Sequence, residues 1–129
     1  ADFIGDTNFL PCEVKAVSAG IATVMVAGQL TMQAAGSATT VGEKATLAIR
    51  PEKIHLHTLD DRVEGEAVFQ GKIIEAVFVG TDTVFRVEVA PGAAVEVRHQ
   101  NTNITGEQFV DGQEVAVSWR PESARVLTT

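Results

Sequence analysis

Tyrosine is missing from this 129-residue chain altogether, and there is a single tryptophan. A protein that grips single-stranded nucleic acid needs exposed aromatics along a basic groove. Here ten Lys and Arg stand against seventeen Asp and Glu, for a formal net charge of −7 and a sequence pI near 4.8. Nucleic acid, whose phosphates must be met by Lys and Arg, is excluded as a partner. An anionic ligand is disfavoured and a cationic one suited. The one cysteine, Cys12, permits neither an internal disulfide nor a cysteine-based zinc site, and is compatible with a reducing compartment. No apolar run reaches the ~18 residues of a membrane-spanning helix, so no direct membrane insertion is expected, and no basic-then-apolar leader opens the chain. There is no Gly-rich loop ending in Gly-Lys-Ser/Thr and no Gly-x-Ser-x-Gly elbow. The expectation is a chain with no catalytic residue, no metal and no cofactor of its own.

What is present is a β pattern written twice. Arg50-Pro51-Glu52 recurs as Arg120-Pro121-Glu122, an offset of 121 − 51 = 70 residues. Each follows a glycine turn and an alternating strand, Val41 to Ile49 and Asp111 to Trp119. Phe3-Ile4-Gly5 is similar to Phe78-Val79-Gly80, offset by 80 − 5 = 75, which puts five extra residues in the first copy around Ala34 to Thr40. The second Phe-x-Gly follows a long strand-like run from Glu66 to Val77, whereas two residues precede the first. The first copy is therefore expected to lack its leading strand. With Ala1 in place of a methionine, the chain is expected to be a piece of a longer polypeptide.

Short runs rich in Val, Ile, Thr and Phe, cut by Gly, Pro, Asn and Asp, predict strands throughout. They cover Phe9–Val17, Ile21–Ala27, Gln29–Gln33, Ala45–Arg50, Lys53–Thr58, Glu66–Val79, Thr83–Val89, Ala94–His99, Glu114–Trp119 and Ala124–Leu127. Ala19-Gly20 reads as a hairpin turn, Gly71 as a bend, and each Pro-Glu as at most one helical turn. The fold class is all-β: an OB-like, five-stranded Greek-key barrel or sandwich built from two tandem repeats. Repeat 1 spans about 1–59 and repeat 2 about 63–129, with Asp60-Asp61-Arg62 as a charged linker.

Chemistry-bearing groups are sparse. His55 and His57 share one strand face, opposite Ile54 and Leu56, and could ligate a metal if a third ligand came from elsewhere; the alternation favours a solvated strand face for them, and for His99. Asn103-Ile104-Thr105 matches the glycosylation sequon. Glu64, Glu66, Glu75, Glu88 and Glu96 could attract a cation, or form a charged outer face. Arg50 with Glu52, and Arg120 with Glu122, project to one side of an extended segment. They could anchor a partner by charge-assisted bonds or steer a turn whose φ proline fixes. Asn8, Asp82 and Thr83, beside the Phe-x-Gly turns, are polar ligand candidates for a pocket between the copies, or bond within the turns. Trp119 and Glu122 could form a corner for a cationic ligand.

Four segments in this order carry a family resemblance: Phe3 to Leu10, Leu47 to Ile54, Val79 to Thr83, and Gly112 to Leu127. They resemble the C-terminal accessory region of ABC-importer ATPase subunits, the TOBE (transport-associated OB) domain, over essentially the whole chain. His99-Gln100-Asn101, the Trp119 strand and the Val126-Leu127 ending are most similar to the spermidine/putrescine branch. The resemblance implies an upstream ATPase domain, absent from this chain, that uses ATP and Mg. It implies pairing with a second copy of the subunit beneath membrane-spanning permease subunits, at the cytoplasmic face of a bacterial membrane. The role implied is regulatory, biasing an open or closed dimer. Two other readings compete: a tandem molybdate- or oxyanion-binding module of similar period, and an oligonucleotide-binding OB protein, which the charge opposes.

Overall fold

Strand-forming sequence that alternates apolar and polar residues must bury one face and pair every edge it can, and the chain does so in two units that share strands. The computed structural model describes residues 7–36, 40–60, 67–100 and 109–128. Its elements are β1 (Asn8–Ser18), β2 (Ile21–Val26), β3 (Leu30–Ala35), β4 (Lys44–Ile49), a 3-10 turn (Pro51–Lys53), β5 (His55–His57), β6 (Ala67–Val79), β7 (Asp82–Ala90), β8 (Ala93–Gln100), β9 (Glu114–Trp119), a second 3-10 turn (Pro121–Ser123) and β10 (Ala124–Leu127). The expected strands are all found, within a few residues of their expected ends. The Phe3-Ile4-Gly5 turn, Asp61-Arg62, Glu64, Glu66 and the Asn103-Ile104-Thr105 sequon lie outside the described residues.

Strands β1-β2-β3-β10-β4 form a closed barrel, and β5-β9-β6-β7-β8 form a second five-stranded sheet. Within each, four strands stand in Greek-key order, β4-β1-β2-β3 and β9-β6-β7-β8. The fifth is exchanged. β10, from the end of the chain, pairs with β4 and touches β3 in the first unit, while β5, from the first half, pairs with β9 in the second. The crossing is made at the two Arg-Pro-Glu units. Proline excludes the α region for its predecessor, and Arg50 and Arg120 are extended at φ −76°, ψ 139° and φ −80°, ψ 143°. The 3-10 turns follow, with Lys53 N–H donating to Arg50 O (3.0 Å) and Ser123 N–H to Arg120 O (2.9 Å).

The two units superpose in their bonding pattern. Val14 N–H donates to Glu43 O and Gly42 N–H to Val14 O; Ile73 N–H donates to Gln113 O and Gly112 N–H to Ile73 O. Each long strand bulges just after this clamp, between Val14 and Ala16 and between Ile73 and Glu75. The equivalence sets β1 against β6, with an offset of 73 − 14 = 59, and β4 against β9, with an offset of 112 − 42 = 70. This corrects the pairing of the Phe-x-Gly turns. β1 holds the place of the long run that the first copy was expected to lack, and the barrel closes on it. The sequence comparison erred because Phe-Val-Gly ends β6, while Asn8 and Phe9 begin β1.

One apolar cluster runs through both units, from Val14, Val24, Leu47 and Ile49 to Val87, Val95, Val117 and Trp119. Asn8 pins the units together: its Nδ2 donates to Glu96 O (2.9 Å), and its Oδ1 accepts from Glu96 N–H (2.7 Å). A strand side chain thereby imitates a neighbouring strand. Glu96, expected on a charged outer face, is buried at this junction, 8% exposed. The hairpin turn at Ala19-Gly20 has positive φ at both residues, 52° and 81°, the type I′ geometry that fits strand twist. Gly71 sits where β6 passes from β9 to β7; a Cβ there would lie 2.6 Å from Val87 Cγ1 and 3.0 Å from Glu88 O.

Three outcomes follow from this packing. Gly71→Ala drives a methyl into a filled space and costs about 1–3 kcal/mol, read as a lower midpoint in urea; an unchanged midpoint would refute the close approach. Asn8→Ala leaves the Glu96 N–H and C=O buried without their partner, at about 1–3 kcal/mol for each orphaned group. Because the units exchange strands, it should lower one cooperative transition; two separate transitions would contradict the interlock. Burial pushes the Cys12 thiol above its ordinary pKa, and the thiolate is the reactive form. A thiol reagent should therefore modify Cys12 slowly in folded protein and fast in denaturant. A folded pKa above the unfolded one favours folding below the unfolded pKa, an advantage lost as pH rises through the folded value.

Candidate functional site

The barrel and the second sheet differ at one seam. In the barrel, β10 meets β3 through a parallel bridge at Arg125 and Ala35. In the second unit β8 runs against the first 3-10 turn and β5, and no ladder joins β8 to β5 among the described residues. The seam is a cleft of about 950 Å³ between the 3-10 turn with β5 on one side and the ends of β7 and β8 on the other.

Its walls are mixed, with Pro51, Ile54 and Leu56 beside polar and charged side chains. All three histidines of the chain line it. His55 is exposed and His57 half-buried because Ile54 and Leu56 take the inward positions of the alternation. Their ring centroids are 6.3 Å apart at 73°. The Nε2 of His57 is 2.9 Å from Ser118 Oγ, which holds that ring against β9. His99 meets Phe85 and Phe109 edge-on at 6.3 and 5.6 Å. Asp82 and Arg98 form an ion pair, with Arg98 Nε donating to Asp82 Oδ2 at 2.6 Å. Glu52 projects from the 3-10 turn at the rim, exposed. Among the described residues no group of three or more His, Cys, Asp or Glu could hold a metal ion, so the His55/His57 pair gains no third ligand there. The arrangement offers a cation the carboxylate of Glu52, with Asp82 behind it shared with Arg98, and imidazole rings as hydrogen-bond partners.

A second cleft, about 530 Å³, lies where the two crossovers meet on the barrel's outer face. Of the residues singled out from the sequence, Glu52 and Asp82 line the first cleft and Arg50 and Glu122 the second. Arg120 is exposed and lines neither. Asn8 is committed to the Glu96 backbone. Thr83, 2% exposed, is buried on β7 opposite His99. Trp119 is 1% exposed, tilted against Phe69 at 5.2 Å, and lines neither cleft. The corner that joined it to Glu122 is thus not formed: inward alternation along β9 takes Trp119 into the core, while Glu122 lies beyond the crossover. The pair missed from sequence is Arg98 with Asp82. Counting back from the Pro91-Gly92 turn would have missed it by one register, because the hairpin bulges between Glu88 and Ala90, and only past that bulge does Asp82 face Gln100 and Arg98 face Val84.

Comparison with known proteins agrees with this architecture. The chain is 37% identical over 127 residues to the spermidine/putrescine import ATP-binding protein PotA of Ruegeria pomeroyi, covering 98% of this chain and 33% of that protein. It is 36% identical over 132 residues to PotA of Chromobacterium violaceum, covering 99% and 36%. The chain thus spans about a third of the length of the curated relatives it matches. A solved structure of the cytoplasmic molybdate-binding protein ModG, with molybdate bound, superposes with a TM-score of 0.83 over 95% of this chain and 96% of that one, at 10% identity. That likeness is one of fold. The profile of the TOBE domain matches residues 47–127, and the chain belongs to the TOBE domain family.

Proposed function

We propose that this chain is the C-terminal accessory domain of the ATP-binding subunit of an ABC importer for polyamines, and that it couples the state of a subunit pair to transport without doing chemistry. The observation that carries the reading is the similarity to spermidine/putrescine import ATP-binding proteins over nearly the whole chain. In this reading the parent subunit binds ATP and Mg in a domain outside this chain and pairs with a second copy. The pair docks beneath membrane-spanning permease subunits at the cytoplasmic face of the membrane. This domain supplies contacts that bias the pair between open and closed arrangements, a coupling free energy between sites.

The seam cleft is the place where such a domain would sense its solute. A polyamine is a string of ammonium groups, each needing a carboxylate or neutral acceptor within hydrogen-bond reach. Glu52 and Asp82 stand on the two walls of the cleft, and the acidic chain raises the local concentration of cations. Arg98 limits the attraction, because its guanidinium already satisfies part of Asp82. Affinity should accordingly be modest and fall with salt.

Spermidine at millimolar concentration should raise the melting temperature of the chain, and Glu52→Gln should remove most of that rise while leaving the unliganded melting point unchanged, since Glu52 is exposed. The chain alone should release no phosphate from ATP above a buffer blank. Absence of any spermidine-dependent shift would end the sensing role. Micromolar heats with molybdate in calorimetry would replace it with the oxyanion reading.

A further inference from the structure

The equivalence of the two units exposes a face that they treat differently. In the barrel, outward-facing residues line up in rows across β1, β4 and β10. Phe9 faces Ala48, which faces Arg125; in the next row Pro11 faces Thr46, which faces Leu127. The matching row of the second unit is Val68, Ser118 and His55. There the central residue, Ser118, is fully buried, and β9 is buried on both faces. In the barrel the central Thr46 and Ala48 are only half-buried, and Phe9 and Leu127 stand 60% and 40% exposed. The units thus differ at the central strand, which the second buries and the barrel leaves half-open, while the flanking Val68 and His55 of the second unit are exposed like Phe9 and Leu127.

Charge says what fits there. Arg50, Lys53 and Arg125 surround this apolar floor, with Glu122 as the one acid among the cleft's lining residues. Three of the chain's ten cationic residues therefore gather at one cleft of a molecule whose formal charge is −7. Among the described residues no ion pair engages any of the three. A second copy docking by the same patch would set these cations against each other across a two-fold axis. The apolar floor set between cations fits an acidic partner that carries an apolar stripe.

We propose that the β1/β4/β10 face, floored by Phe9, Ala48 and Leu127 and rimmed by Arg50, Lys53 and Arg125, docks an acidic amphipathic helix of another protein. The helix lays its apolar stripe across Phe9 and Leu127, and its flanking carboxylates meet the guanidinium groups at the crossovers. The site is separate from the seam cleft, so it stands or falls independently of polyamine sensing.

The test uses the 129-residue chain and a fluorescein-labelled synthetic helical peptide with Leu at i, i+3, i+4 and i+7 and Glu at its remaining positions. A Lys-for-Glu version serves as control. Anisotropy should show saturable binding of the acidic peptide that weakens with salt, and none of the basic one. The double variant Arg50→Glu/Arg125→Glu and, separately, Phe9→Ser should each weaken binding by at least about tenfold. Both sites are exposed, so circular dichroism and melting should match the parent and keep a negative result interpretable. Equal binding of both peptides, no binding of the acidic one, or undiminished binding by either variant would overturn the proposal. So would concentration-dependent self-association abolished by Phe9→Ser, which would show that a second copy covers the face.

Discussion

A β-strand that ends a compact unit must either expose its unpaired N–H and C=O groups or find a neighbour, and in this molecule the neighbour comes from the other unit. β10 stands between β4 and β3 although it is the last strand of the chain, and β5 stands beside β9 although it precedes the second unit. Neither half can pair all of its edges alone, because the strand it needs belongs to its partner's sequence. The unpaired edge is the costly alternative, so the exchange ties the two halves into one folding unit. Asn8 adds a polar clasp across the same junction. The Arg-Pro-Glu units serve this constraint. Proline keeps its predecessor extended, so β4 and β9 run to their ends straight, and a single 3-10 turn then redirects the chain into the other unit.

The clefts are by-products of that exchange. Where β10 reaches β3, the first unit closes; where β5 runs beside β8 without a ladder, the second leaves a seam. The strand that lines the seam must keep Ile54 and Leu56 inward for the core, which leaves His55 and His57 for the opening. The two histidines of the seam therefore follow from the same alternation that builds the hydrophobic cluster. Likewise the outer cleft collects Arg50 and Lys53 from one crossover and Ser123 and Arg125 from the other because the two crossovers bring the chain to the same rim.

Much of this was legible in the sequence, and the parts that were not share a cause. Strand positions, the turns at Ala19-Gly20 and Pro91-Gly92, and the inward setting of Ile54 and Leu56 are local properties of alternation and turn chemistry, so they could be read directly. The repeated tripeptide gave the right offset for β4 and β9. The Phe-x-Gly pair gave a wrong offset for β1 and β6, because a three-residue likeness at strand ends carries no register. The strand exchange itself was invisible, since a chain's pattern says which face of a strand is apolar but not which unit will receive it. Site residues fared by the same rule. Glu52 and Asp82 reach one cleft, but Asn8 and Trp119 went to the core and its junctions. Polarity in a pattern does not tell a ligand donor from a strand clasp, and an indole in an alternating run faces whichever side its register dictates.

Two equivalent units that diverge at equivalent places give one small domain two chemically distinct surfaces. Position by position, His55 and His57 of β5 correspond to Arg125 and Leu127 of β10, since each pair faces the same rungs of β9 and β4. In the second unit those positions carry two imidazoles beside a carboxylate-bearing cleft. In the first they carry a permanent cation and an exposed aliphatic side chain. The former offers hydrogen-bonding rings; the latter offers a salt-screened charge and an apolar contact. β5 grows out of the crossover that carries Arg50 and Lys53, so the seam and the outer face share that one turn. The geometry requires no long chain of intermediates between the two clefts: Arg50 and Glu52 of a single turn already stand one in each.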